Sequence, residues 1–144
     1  MLLKFLSQYG MKALTLITAL FISGIWAYGQ NLIGYSYRDI RKYMNENCRD
    51  MSFNNVTNNK FNYLKYTDSS DSQTLLFFLT QDSVCKSERL ICDNGLKTEK
   101  IKEFNSLYQQ GGENRWIDRH GNKDYLVEIK DEKWSFVITI ERDK

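Results

Sequence analysis

The residues that could do acid–base chemistry are the single histidine and the carboxylates near it. His120 lies between Asp118 and Asp124, and a histidine close to carboxylates can transfer protons. The segment Arg-His-Gly-Asn at 119–122 is typical of a turn, however, and catalysis requires groups that converge in space. The chain contains no hydrolase, metalloprotease or nucleotide-binding motif. We therefore assign no catalytic residue, and the sequence favours a non-catalytic protein over a small hydrolase.

Two further groups of residues could hold a metal or form a covalent link. Asp68 and Asp71 flank serines in a polar loop, but the oxygen spacing, central glycine and final glutamate of an EF-hand calcium loop are absent. Cys48, Cys85 and Cys92 lack the second set of partners that a zinc site needs. We predict no metal and no cofactor. In an oxidising compartment we expect one disulfide among the three cysteines, with its pairing open.

The geometry of residues 84–93 decides which cysteines can pair. If this segment is one continuous strand, Cys85 and Cys92 lie about 23 Å apart on opposite faces, at about 3.3 Å per residue. A disulfide between them is then excluded. A turn at 86–89 would instead bring them together. An odd number of cysteines leaves at least one thiol free or linked to another chain.

Aromatic residues make up 14 % of the chain and are the strongest indication of a binding surface. Tyr63, Tyr66, Trp116 and Tyr125 fall in predicted strands. On an exposed sheet face such side chains bind proteins or sugars, whereas on a covered face they pack helices onto the sheet. We take these four as candidate binding residues and leave both interpretations open.

Two amphipathic helices are predicted. Ser36 can cap the first, and Ile40, Met44 and Cys48 lie on its apolar stripe. Thr98 can cap a second helix over residues 99–110, which the pair of glycines that follows would stop.

Six strands are predicted from alternating or continuous apolar residues between turn signals. Three follow the first helix, at 61–66, 74–80 and 84–92, and three follow the second, at 115–119, 124–130 and 134–140. A short extended piece at 51–54 is a further possibility. Short turns join neighbouring strands, which predicts an α+β domain with two helices on one face of a mostly antiparallel sheet, in the order α-β-β-β-α-β-β-β. Each half would then be a helix followed by a meander.

Two of these strands carry specific expectations about their faces. Residues 74–80 (TLLFFLT) are apolar on both faces, so we expect a central strand that is covered on both sides or nearly so. The strand at 84–92 contains Lys86, Glu88 and Arg89, which predict that one of its faces is wet.

The first 29 residues have the pattern of a cleaved secretory signal. Lys4 and Lys12 precede the apolar run 13–25, and the small residues Ala27 and Gly29 would place the cut before Gln30, whether translation starts at the first or the second methionine. The alternative is an uncleaved anchor, but the run is shorter than the roughly 20 apolar residues of a membrane span. We expect one domain at 30–144 and a periplasmic or secreted location.

Cleavage would also change the charge of the protein. The full chain has 20 basic and 18 acidic residues, and the signal removes two lysines and no acid, leaving a domain without net charge. Such a domain has no basic surplus for nucleic acid or for an anionic membrane, so membrane contact is expected only transiently, through the signal.

The signal ending in Tyr-Gly-Gln-Asn and the Asn-, Lys- and Tyr-rich composition resemble small exported proteins of Bacteroidetes-type bacteria. That resemblance implies a periplasmic or secreted location and no particular activity. The layout of helix-plus-sheet units also resembles exported inhibitor domains at the level of the fold. We therefore expect a binding module for a protein of the cell envelope or exterior. The alternatives are an envelope accessory protein, including a disulfide-linked dimer, and a small hydrolase.

Overall fold

The structure is a computed structural model that describes residues 30–55 and 61–143. The predicted signal at 1–29 lies outside these ranges. One compact unit extends from Asn31 to the end of the chain. In the part that is described, neither helix has the length and apolar character needed to cross a membrane.

Helix α1 spans Tyr37–Asn47 and begins as the sequence predicts. The Ser36 hydroxyl accepts a hydrogen bond from the Asp39 N–H at 3.3 Å and donates one to the Asp39 carboxylate at 2.6 Å. This reciprocal pair satisfies a free amide of the first turn and places a negative charge at the positive end of the helix. Ile40 and Met44 are the buried residues of its apolar stripe.

Helix α2 spans Lys97–Leu107 and differs at both ends from the prediction. A single 3-10 turn, Asn94–Leu96, leads directly into it, so Thr98 lies within the first turn and does not cap the helix. The helix stops at Leu107 because residues 109–112 pair with the next strand instead of continuing the helix.

Eight strands form one sheet, and all of their pairings among the described residues are antiparallel. The strands are β1 (Met51–Asn54), β2 (Tyr63–Asp68), β3 (Gln73–Leu79), β4 (Cys85–Asp93), β5 (Gln109–Gly112), β6 (Arg115–His120), β7 (Lys123–Asp131) and β8 (Ser135–Arg142). The mixed α+β class and the antiparallel sheet are confirmed. The predicted order is wrong, because each half contains four strands after its helix instead of three.

The additional strands β1 and β5 are the two edges of the sheet. The strand order is β1-β2-β3-β4-β8-β7-β6-β5, so the two four-stranded halves meet where β4 pairs with β8. Both edge strands have four residues, and β5 reads Gln-Gln-Gly-Gly, which has neither apolar alternation nor β-branched residues. Their pairing with a longer neighbour, and not their own sequence, makes them strands.

The register of the sheet defines two faces. We call the face covered by the helices the helix face and the other the open face. On the helix face Phe104 of α2 packs edge-on against Trp116, with ring centroids 5.4 Å apart, and Arg41 of α1 lies over the Phe53 ring at 3.7 Å. Phe53 in turn contacts Tyr66. The core therefore lies between the helices and this face.

A β-bulge alters the position of Cys85. Between Phe78 and Leu79 the register of β3 on β4 shifts, so that Leu79 is opposite Cys85. Two consecutive residues of β4, Lys86 and Ser87, then point away from the core. As a result Cys85 and Cys92 are both buried, although seven residues separate them and a regular strand would place them on opposite faces.

Candidate functional site

Three of the four predicted aromatic binding residues lie in the core. Tyr66 and Trp116 are each 1 % exposed and Tyr125 is 7 % exposed, all on the helix face. The indole N–H of Trp116 donates to Asn105 at 2.8 Å. Burial raises the pKa of Tyr66 to about 12. These side chains offer no surface to a partner, whereas Tyr63 lies on the open face and is half-exposed.

The residues considered for acid–base chemistry are divided between the two faces. Asp118 is buried on the helix face, and one of its oxygens lies 3.3 Å from the Nε2 atom of His120. Asp124 is opposite Arg119 in the register and forms an exposed ion pair with it at 3.7 Å, on the open face. Asp118 and Asp124 therefore do not converge on His120 as a catalytic group would require.

Asp118 belongs instead to a buried group of polar residues that includes Glu88. The Asn31 side chain donates to Asp118 at 3.1 Å, and the backbone N–H of Leu32 donates to the Glu88 carboxylate. Burial raises the pKa of Glu88 to about 8, despite the hydrogen bond from Leu32, and Asp118 raises it further. The two carboxylates anchor the start of the compact unit on the helix face.

The sequence did not indicate this role for Glu88. Lys86, Glu88 and Arg89 were expected on a wet face of their strand, and Glu88 is only 4 % exposed. Residues 88, 90 and 92 are the regularly alternating buried positions of this strand. Glu88 therefore lies in the same alternation as Leu90 and Cys92, and that alternation is the sequence signal for its burial.

No disulfide joins the three cysteines in the described residues, which corrects the expectation of one. Each thiol is 2 % exposed or less. Burial raises the pKa of Cys85 to about 12 and that of Cys92 to about 11, so the reactive thiolate form is disfavoured. The described ranges also contain no group of three His, Cys, Asp or Glu side chains that could hold a metal ion.

The open face of β2, β3 and β4 carries a groove of about 580 Å³. Its apolar surface comes from Phe61, Tyr63, Leu76, Phe78 and Ile91, and its charges come from Lys65, Lys86 and Arg89. We call these eight residues the aromatic groove. Phe61 is 60 % exposed, and the rings of Tyr63 and Phe78, which are opposite each other in the register, lie 6.0 Å apart.

The two faces of residues 74–80 are covered to different extents. On the helix face Phe77 and Leu79 are buried. On the open face the side chains of Leu76 and Phe78 are only partly buried. A strand with the composition of a two-sided core strand thus leaves part of one apolar face accessible to solvent.

The cations of the aromatic groove have no ion-pair partner within the described part of the chain. The guanidinium of Arg89 lies 5.3 Å from the centre of the Phe78 ring, a cation–π distance. None of the ten residues that line the groove is acidic. The neighbouring strand β8 places a carboxylate at the border of the groove, namely Glu141, which is opposite Ser87.

Comparisons with protein-family models, with curated proteins and with solved structures gave no match to this chain. The functional conclusions therefore depend on the geometry of the chain itself.

Proposed function

We propose that this protein is an exported, non-catalytic binding module for another protein, and that the aromatic groove is its binding surface. One observation carries the proposal: the open face of β3 is apolar, partly exposed and continuous with the exposed ring of Phe61. Covering such a surface with a partner removes apolar area from water, which stabilises the complex by about 25 cal/mol per Å².

The aromatic rings and Arg89 of the groove are residue types that are common in protein interfaces. Aromatic residues and arginine are enriched at the centres of such interfaces, and rings held by a sheet lose little conformational entropy on binding. Tyr63 and Phe78 are on adjacent strands, so the backbone pairing of β2 with β3 fixes their spacing before a partner arrives.

The alternatives receive less support from the arrangement of residues. A hydrolase would need accessible convergent groups, but Glu88 and Asp118 are buried and hold the N-terminal segment, and Asp124 faces the other way. A dimer linked by a disulfide would need an accessible thiol, and all three cysteines are buried. Export through the segment 1–29, with a location in the periplasm or outside the cell, is part of the proposal and rests on the sequence of that segment.

The test is site-specific photo-crosslinking of the full chain, expressed with its own leader in the host that encodes it. A photoreactive phenylalanine analogue replaces Tyr63 in one sample and Leu126, on the open face of β7, in the matched control. We expect a discrete protein adduct from position 63, its loss in the Phe78→Ala background and no equivalent adduct from position 126. Adducts of equal yield from both positions, or none from position 63, would overturn the proposal.

The same samples test export. Intact-mass measurement of the purified protein should give a chain that begins at Gln30. A chain that retains residues 1–29 and stays with the membrane would instead support an uncleaved anchor.

A further inference from the structure

From the charges of the aromatic groove we infer the class of its partner: an extended acidic segment of another protein, whose carboxylates pair with Lys65 and Arg89 on either side of an apolar side chain seated on Leu76 and Phe78. This inference rests on the proposed function, and it adds the chemistry of the ligand.

The register fixes the relative positions of the cations. Lys65 of β2 is opposite Leu76 of β3, and Leu76 is opposite Arg89 of β4, so the three form one row across the sheet. Neighbouring strands lie about 4.8 Å apart, which places the backbones of Lys65 and Arg89 about 10 Å apart with an apolar residue between them. In an extended segment the residues at i, i+2 and i+4 share one face, with i and i+4 about 13 Å apart, so carboxylates at i and i+4 can flank an apolar residue at i+2 and meet the long Lys65 and Arg89 side chains.

The next row supplies the apolar seat. Tyr63 is opposite Phe78, and Phe78 is opposite Ser87, so two rings and a small residue lie beside the charged row. The guanidinium over the Phe78 ring keeps one charge at the edge of this seat. A ligand that combines an apolar side chain with flanking carboxylates contacts both rows, whereas a purely ionic ligand uses only one.

The lack of net charge on the predicted mature domain makes this local pattern informative. The attraction cannot come from a general basic surplus, because basic and acidic residues are equal in number over 30–144. On the other half of the open face Glu128 and Asp124 pair with Arg115 and Arg119, so those cations attract an acidic segment less strongly. Charge complementarity therefore selects the aromatic groove as the docking position for an acidic segment.

An anionic polysaccharide or the headgroups of an anionic membrane could also satisfy the three cations. Neither provides an apolar side chain for the row that contains Tyr63 and Phe78. They are accordingly outcomes of the test and not part of the proposal.

The experiment identifies the material crosslinked from position 63 and measures how its yield depends on charge. Mass spectrometry of the adduct should give a peptide with at least two Asp or Glu residues flanking an apolar residue. The double reversal Lys65→Glu with Arg89→Glu should lower the adduct yield by at least about tenfold, since like charges now oppose the carboxylates. The matched reversal Arg115→Glu with Arg119→Glu changes the net charge equally and should leave the yield within about twofold.

The outcomes separate this inference from the proposed function. A protein adduct without acidic residues, or one whose yield the reversal at 65 and 89 leaves unchanged, overturns the acidic segment while protein binding stands. A glycan or lipid adduct overturns the acidic protein segment and also the proposal of a protein partner. Circular dichroism of each reversed variant confirms that the sheet is intact, so that a loss of adduct is a loss of binding.

Discussion

Both halves of the sheet carry cations on their open face, but among the described residues the ion pairs on that face all lie in the second half. Arg115 lies 2.7 Å from Glu128, and Lys130 lies 3.3 Å from the other oxygen of the same carboxylate. The aromatic groove of the first half contains Lys65, Lys86 and Arg89 and no acidic residue. The two halves share one layout, a helix of 11 residues followed by four antiparallel strands.

The two halves of the open face therefore differ in what a charged partner would add to each. A face whose charges are paired with each other gains little from a charged partner, because its ions would have to exchange one partner for another. A face with unpaired cations and half-exposed rings gains both ion pairs and apolar burial when it binds. The proposed function accordingly places the partner on the first half of the open face, while the ion pairs of the second half already pair its charges with each other.

The largest effect should come from the core that the two halves share. Trp116→Ala in the second half and Phe77→Ala in the first should each lower the free energy of unfolding by about 3–5 kcal/mol, because each removes a fully buried ring. Urea denaturation followed by circular dichroism should show a single transition in both variants, since β4 and β8 join the halves through seven residue pairs.

The control for the core variants is Trp134→Ala, because Trp134 is 78 % exposed and its loss should change the stability little. If Trp116→Ala and Phe77→Ala instead produced two separate transitions, the halves would be independent folding units. The two halves of the open face would then belong to two domains.

The next effect is a pH dependence that has opposite signs in the two halves. Glu88 of β4 has a pKa raised from 4.5 to about 8, so the folded state holds its proton more tightly than the unfolded chain does. Below about pH 4.5 Glu88 is protonated in both the folded and the unfolded chain and does not change the free energy of unfolding. As the pH rises from there towards 8, Glu88 lowers the free energy of unfolding by at most about 1.4 kcal/mol per pH unit. Glu88→Gln should remove this slope, measured by urea denaturation at several pH values between 5 and 8.

Glu128 of β7 is the matched carboxylate, with its pKa lowered chiefly by the hydrogen bond from Arg115. Its contribution is present at neutral pH and is lost as the pH falls through the lowered pKa, so Glu128→Gln should flatten only the acid limb. A Glu88→Gln variant that kept the full slope between pH 5 and 8 would show that another group takes up the proton.

The smallest effect should come from the paired charges themselves. Arg115→Gln removes the ion pair with Glu128 and should lower the free energy of unfolding by less than about 1 kcal/mol, because the guanidinium is largely exposed. Lys65→Gln, in the aromatic groove, should change the stability even less, since no ion pair is lost among the described residues. Thermal denaturation at low and high salt should show salt sensitivity in wild type that Arg115→Gln reduces and Lys65→Gln leaves unchanged.

Much of the secondary structure could be predicted because alternation is a local property. The strands at 123–131 and 135–142 alternate apolar and polar residues, and the Ser36 cap has its acid three residues later. The edge strands β1 and β5 could not be predicted with the same clarity, because four residues carry too little pattern. Each is a strand because it pairs with a longer neighbour, and its own four residues do not encode that pairing.

The candidate site was predictable only in part, since alternation identifies two faces but not which one the helices cover. Tyr63 and Tyr66 are three residues apart in one strand and lie on opposite faces. The sequence offered both as binding residues, and the position of the helices buried Tyr66 and left Tyr63 on the open face. The bulge that buries Cys85 is likewise a consequence of strand pairing.

By itself, the sequence determined the antiparallel α+β class, the capped first helix and the signal-like character of its first 29 residues, because these depend on neighbouring residues along the chain. The tertiary structure alone decided that Glu88 is buried, that the thiols are inaccessible and that one side of TLLFFLT stays open. Those properties depend on which elements pack against which face, and packing is set by contacts between residues far apart in the chain. For this protein that choice of face created the aromatic groove.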